Sequence, residues 1–296
     1  MSFQRLVKKM YLSSFFQALL TYDFMQYAVL AGIIVGILAP LIGTIVVIRR
    51  LSFIADTLSH FSLAGVCIGV FLSKLVDWKI FDPLFMGILF SVLGTFIIEK
   101  LRGFYKNYKE LSMPIVMSCG VALSGLFISL SNNIDSKFTS SLLYGSIYSV
   151  SATDLITIVV IAIIVFAFIV ILHKKIVTLC FDETYARVSG INVKLLQLGI
   201  TVILALVISL FIDIVGVLLI ASLMIIPVAS AILIGDSFFN TVVSAIVFSE
   251  VSLVTGFIIS YHTNVTTGPV IIIINILILI GIMVIKKIRS SIKSSK

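Results

Sequence analysis

The run Arg49-Arg50-Leu51-Ser52-Phe53-Ile54-Ala55-Asp56-Thr57-Leu58-Ser59-His60-Phe61-Ser62-Leu63-Ala64-Gly65 sets a carboxylate and an imidazole four residues apart inside an otherwise apolar segment. In a helix, Asp56 and His60 share one face with Cβ atoms roughly 6 Å apart. One divalent cation, or one relayed proton, can then touch both groups. Ionisable side chains at membrane depth are costly and mark functional paths by default; the competing reading is a satisfied polar pair that fixes helix packing. Ser52, Asp56, Ser59 and His60 form a polar stripe, with Phe53, Ile54, Leu58 and Phe61 covering the rest. The stripe is expected to face the bundle interior or a water-filled path. Gly65 and Gly69, also four apart, permit close approach of a neighbouring helix.

Around this run the composition fixes the class. The 296 residues are 60% hydrophobic and 11% charged, with a mean hydropathy of +1.25. A soluble domain carries about 25% charge, so this is an all-α polytopic integral membrane protein. The net charge of +8 reads as the basic excess of cytoplasmic loops, not as a nucleic-acid surface, and no nucleic-acid partner is expected. Cys67, Cys119 and Cys180 form no C-x-x-C pair and suggest no disulfide framework. The first apolar stretch lacks a small-residue cleavage pattern and is long enough to span, so no cleaved signal peptide is expected.

Apolar runs long enough to cross a bilayer cover residues 26–48, 52–73, 81–98, 112–131, 153–172, 195–212, 217–235, 241–260 and 268–285. Nine spans are expected, with eight as the alternative. The second span carries two ionisable residues, and the sixth and seventh are separated only by Asp213-Ile214-Val215-Gly216, where a tight hairpin is assumed. With nine crossings, 15 of the 21 lysines and arginines collect on one side. The positive-inside rule places that side, and with it the C-terminus, in the cytoplasm. Residues 1–25 are expected to form an amphipathic surface segment, 26–285 the membrane domain and 286–296 a basic cytoplasmic tail that suits acidic lipid headgroups.

The chain contains no Gly-x-x-x-x-Gly-Lys-Ser/Thr loop; the dipeptide Gly-Lys does not occur at all. Transport driven by ATP therefore requires hydrolysis on another polypeptide. His-Glu-x-x-His and Gly-x-Ser-x-Gly are also missing, so neither an intramembrane metalloprotease nor a lipase is supported. None of these motifs points to an enzyme.

The motifs together carry a resemblance. Arg49-Arg50-Leu51-Ser52, Asp56-Thr57-Leu58-Ser59-His60 and Leu63-x-Gly65 resemble the permease subunits of bacterial zinc and manganese importers of the ATP-binding-cassette superfamily. Further similarity runs through Leu142-Leu143-Tyr144-Gly145-Ser146-Ile147, Phe181-Asp182 with Ala186, Gly190 and Val193, Val215-Gly216-Val217-Leu218-Leu219 with Ala221, Leu223 and Pro227, and Gly256, Ser260, Tyr261 and Gly268. It covers roughly residues 26 to 285. Many members have glycine where Ala55 stands and proline where Ala64 stands, and neither change touches a candidate ligand. The form Ala-Asp-Thr-Leu-Ser-His with Ser-Leu-Ala-Gly is closer to the zinc branch than to the manganese branch.

The resemblance implies a type II importer permease in a bacterial cytoplasmic membrane. It further implies a second permease copy, two cytoplasmic ATPase subunits that bind ATP, and an extracytoplasmic metal-binding protein. The transported ion would be zinc, or manganese as the alternative, and no permanently bound cofactor is expected. The 173–194 connection would dock the ATPase through a short helix carrying Glu183, Ala186 and Gly190, whose spacing fits a helix closed by glycine. The loops around 132–152 and 261–267 would meet the binding protein.

Beside these stand weaker candidates. Glu250, about ten residues into its span, either completes an ion path or pairs with a hydroxyl neighbour. Asp213 and His262 lie near the outer ends of their spans, where they fit either an outer vestibule or ordinary helix-end polarity. His173 reads as interfacial. A proton-coupled carrier using Asp56, His60 and Glu250 as a relay is the rival from another class, and a non-transporting scaffold is a third.

Overall fold

In hydrocarbon every backbone N–H and C=O has to be satisfied within the protein, and helices do this segment by segment. The computed structural model describes residues 15, 17, 19–75, 83–105, 107–131, 142–145, 150–263 and 265–294. Their regular structure is helical: α1 Asp23–Ile48, α2 Phe53–Leu75, α3 Pro83–Phe104, α4 Ser112–Leu130, α5 Ala152–Phe181, α6 Glu183–Val188, α7 Val193–Val215, α8 Val217–Ile232, α9 Phe238–Thr263 and α10 Thr267–Ser294. A single 3-10 turn, Lys109–Leu111, leads into α4.

Eight of these helices are long and apolar enough to cross a membrane, and α8 is a shorter apolar helix. Each of the nine expected segments is helical over most of its described residues, and eight of them reach spanning length, the alternative count. The ends differ because polar residues continue a helix past the hydrocarbon. The first spanning helix begins at Asp23, ahead of residue 26, and the fifth runs nine residues beyond residue 172, to Phe181. The hairpin assumed at 213–216 is shorter than expected. α7 continues through Val215, and Gly216 alone separates it from α8.

Gly216 has φ 83°, and the facing Gly145 has φ 77°. The two backbones lie so close that a Cβ on Gly145 would overlap the Val215 carbonyl group and one on Gly216 would overlap the Tyr144–Gly145 peptide. Tyr144 in turn approaches Gly268 at the start of α10. One end of the bundle therefore holds Gly145, Gly216 and Gly268. At the opposite end Lys286 Nζ donates to the carbonyl of Leu233, just past α8. α8 thus runs from one end of the bundle to the other despite its 16 residues.

Two groups of helices share the core. α2 packs on α3, α4 and α7, whereas α1, α8, α9 and α10 form the other group, with α8 touching α2 between them. Small residues let the helices close up. Gly65 and Gly69 of α2 receive Met86, Phe90 and Pro83 of α3, as their spacing predicts. Hydroxyls tie helices across the interior: Ser62 Oγ donates to Gly87 O at 3.1 Å and lies 3.0 Å from Ser209 Oγ, while Ser91 Oγ donates to Ala205 O at 3.1 Å. α5 and α10, by contrast, leave long aliphatic rows exposed, including Ile163, Ile164, Ile171, Ile273, Leu277 and Ile280. In lipid such rows cost nothing.

Replacing Gly216 by Val forces a β-branched residue into a backbone region that only glycine adopts readily, at a cost of about 1–3 kcal/mol. A lower thermal unfolding temperature in detergent is the expected outcome, and an unchanged one would show that the α7–α8 joint tolerates a side chain.

Candidate functional site

The approach to α2 is a short, defined turn. Arg50 N–H donates to Val47 O and Leu51 N–H to Val46 O, both at 2.9 Å. This closes α1 with the paired bonds of a left-handed helix terminus. Arg50 occupies the left-handed position itself, at φ 59°, where a non-glycine residue costs about 1 kcal/mol. Ile54 N–H then donates to Leu51 O at 2.9 Å, and α2 starts. Asp56 lies in its first turn, where the helix dipole favours an anion. His60 follows one turn on.

His60 Nε2 and Asp56 Oδ1 are 3.7 Å apart, with 16% and 29% of the side chains exposed. That is too long for a hydrogen bond. It suits an ion between them, because two metal–ligand bonds of about 2.0–2.2 Å span a donor separation up to about 4 Å. Phe53, 65% exposed, lies on the same side as the pair. Most of the remaining α2 surface is covered: Thr57, Ser59 and Ser62 are fully buried. Ser59 Oγ donates back to Ala55 O at 2.8 Å. The open strip of α2 is thus Phe53, Asp56 and His60, with Ser59 turned into the protein and Phe53 taking the place expected for a polar neighbour.

α4 holds the strip from behind. A Cβ on Gly120 would come within 2.9 Å of the His60 carbonyl group and of Phe61 Cα, so the two helices touch backbone to backbone at His60. Thr57 Oγ1 adds a 3.3 Å bond to Met113 O at the start of α4. This role of Gly120 was not visible in the sequence, since nothing local pairs positions 60 and 120.

The other candidates fall elsewhere. Among the described residues no group of three or more His, Cys, Asp and Glu side chains comes together. Glu250 is half-buried on α9, and its enclosed Oε1 has no hydrogen-bond partner. It presses toward Gly36 of α1, where an added Cβ would lie 2.5 Å from Oε1. No three-residue metal group among the described residues unites Glu250 with Asp56 and His60. His262 lies in the last turn of α9 with its ring edge-on to Tyr261 at 5.2 Å, at the end of the bundle away from the α1–α2 turn. The Asp213 side chain lies outside the described residues, as do 132–141 and 146–149 of the loop expected to meet a binding protein. His173 sits within α5, eight residues before its end at Phe181, with its ring 6.4 Å from that of Phe238.

The connection expected over 173–194 narrows to 182–192, because α5 runs on to Phe181 and α7 starts at Val193; within it a short helix forms at Glu183–Val188. Asp182 Oδ1 accepts from the N–H groups of Thr184 and Tyr185 at 2.8 and 3.0 Å, capping α6. Gly190, at φ 78°, ends it, with Ile191 N–H donating to Ala186 O at 3.1 Å. Glu183 is exposed and pairs with Arg187 at 3.1 Å. Ala186 is fully buried, so it seats α6 on the bundle and does not face outward. Phe181, Tyr185 and Val188 are the exposed apolar side chains here, at 69%, 64% and 83%.

Comparison with known proteins gives this arrangement a family. The model of the ABC 3 transport family matches residues 21–286. A probable metal transport system membrane protein of Treponema pallidum is 31% identical over 91% of this chain and 98% of its own length. The manganese transport system membrane protein MntC of Listeria monocytogenes is 29% identical, covering 88% of this chain and 90% of that one. The high-affinity zinc uptake system membrane protein ZnuB of Buchnera aphidicola is also 29% identical, covering 81% of this chain and 89% of that one. The solved structure of PsaBC from Streptococcus pneumoniae in complex with Fab superposes with a TM-score of 0.80 at 26% identity, over 92% of this chain and 95% of that one. With the match running from before α1 into α10, this chain belongs to the ABC 3 transport family.

Proposed function

We propose that this chain is the permease of a binding-protein-dependent importer for divalent transition-metal ions, with zinc as the first substrate, and that Asp56 and His60 contact the ion in transit. As a membrane subunit of an ABC transporter it leaves ATP hydrolysis to a separate polypeptide. The observation that carries the reading is the 3.7 Å separation of a carboxylate and an imidazole on the open strip of an otherwise enclosed helix. Two ligands hold an ion loosely enough to release it, as conduction requires. A second copy facing the same strip would bring a second pair, and water would complete the coordination.

On this reading the bundle end holding Arg49, Arg50, Lys174, Lys175 and Arg187 faces the cytoplasm. The ATPase docks on Phe181, Tyr185 and Val188 of the α6 region, and a binding protein delivers the ion at the opposite end. Manganese is the second reading. Carboxylate and imidazole accept either metal, and relatives named for manganese and for zinc are equally similar, at 29%. The zinc preference rests on the form of the motif around Asp56.

Uptake of radioactive zinc and manganese is the decisive assay, in cells lacking their own importers and expressing this chain with its ATPase and binding protein. His60→Ala and Asp56→Ala are expected to lower uptake at least as much as the loss of a supporting hydrogen-bond partner does, about 10–100-fold, while the complex still assembles. Normal uptake by either variant would remove the pair from the path. Gly120→Leu is expected to act similarly, by displacing the His60 backbone, without removing any ligand. Val188→Asp together with Tyr185→Ala is expected to abolish ATPase copurification, since truncating buried aromatic anchors dominates interface loss; undiminished copurification would place the docking surface elsewhere.

A further inference from the structure

A polar chain crosses the bundle just behind the α1–α2 turn. Arg49 Nη2 donates to Gln197 Oε1 of α7 at 3.0 Å. Gln197 Nε2 donates to Glu99 Oε1 of α3 at 2.8 Å, and Arg102 Nη1 reaches the same Glu99 oxygen at 3.2 Å. Three helices that meet nowhere else through charged groups among the described residues are thus joined by four side chains. Gln197 is the only neutral member, and it relays between a guanidinium and a carboxylate by turning its carbonyl to one and its amide to the other.

An apolar cluster runs alongside. Ile45 of α1, Ile176 and Leu179 of α5, Ala186 of α6, and Val193, Leu196 and Ile200 of α7 pack together. Ile45 is one helical turn before Arg49, and Leu196 is next to Gln197. Ala186 therefore seats α6 on the same two helix ends that Arg49 and Gln197 link. The Glu183 carboxylate also acts electrostatically on Arg49. Burial lowers the pKa of Arg49 from its ordinary value, while Cys180 and Glu183 oppose the shift; the guanidinium stays charged throughout the working pH range.

We propose that Arg49, through Gln197, is the positioning residue that transmits displacement of α6 to the Asp56–His60 pair. The inference rests on the permease reading and adds to it the route by which the ATPase end reaches the ion. The turn after Arg49 has no slack. Its two terminating bonds and the left-handed Arg50 make the end of α1 and the first turn of α2 one rigid piece, and Asp56 is in that first turn. A shift of α7 relative to α1 therefore moves Asp56 with Arg49 instead of being absorbed in a loop. Arginine suits the role because its planar fork keeps direction as well as charge. A lysine would keep the charge and lose the fixed geometry.

The experiment uses the full complex of permease, ATPase and binding protein in proteoliposomes, and reads metal imported per ATP hydrolysed. Arg49→Met is expected to lower that ratio about fivefold or more while ATP hydrolysis and assembly persist. Arg49→Lys is expected to recover part of the ratio. Gln197→Ala should reproduce the loss, and the double variant should be no worse than either single one, because both break the same link. Lys194→Ala, an exposed basic neighbour on α7, is the control and should leave the ratio unchanged. An unchanged ratio in Arg49→Met and Gln197→Ala overturns the inference. So does failure of both variants to assemble with the ATPase, which would assign the network to folding. If the wild-type complex assembles and hydrolyses ATP yet imports no metal, the permease reading itself falls, and the route to the ion falls with it.

Discussion

Hydrocarbon offers no water to a carboxylate and an imidazole, and the arrangement around α2 answers that constraint. α2 is the most enclosed of the eight long helices. α3 fits against Gly65 and Gly69, α4 against the His60 backbone, and α7 and α8 cover the remainder. What these neighbours leave open is the strip that carries Asp56 and His60. Polar hydroxyls elsewhere on α2 are spent inward, on its own carbonyls or on those of α3 and α4. The helix thus has its polarity divided in two, one part for packing and one part left available.

The membrane class and nearly all helices were legible because long apolar runs have few alternatives in lipid. Helix ends were less so. Phe181 and Val215 lie past the points where hydropathy falls, and a helix has no reason to stop where its surroundings change from lipid to water. The Asp56–His60 pair was legible from i, i+4 spacing alone. Which side of α2 stays open was not, since Ser59 and Phe53 exchange the roles their polarity suggests. That depends on where α3 and α4 pack, and no local pattern encodes it.

Long-range partners were the least legible. Arg49 and Gln197 are 148 positions apart, and each alone reads as an ordinary helix-end polar residue. Ala186 shows the same limit from the other side. Its place in a short helix closed by Gly190 follows from spacing, yet its burial means that the outward surface belongs to Tyr185 and Val188. A motif identifies the element, and packing decides which of its residues look outward.

The length of α5 has a consequence of its own. Thirty residues reach about 45 Å at 1.5 Å per residue, whereas the hydrocarbon layer is about 30 Å thick. The last turns of α5 do not stand free: Ile176 and Leu179 pack with Ile45 of α1 and with Val193, Leu196 and Ile200 of α7, and Ala186 of α6 joins the same cluster. α7 follows α6 after a four-residue connection, 189–192. Because α5, α6 and α7 share one apolar cluster, any displacement of α6 would reach both long helices through packed side chains and not through a slack loop.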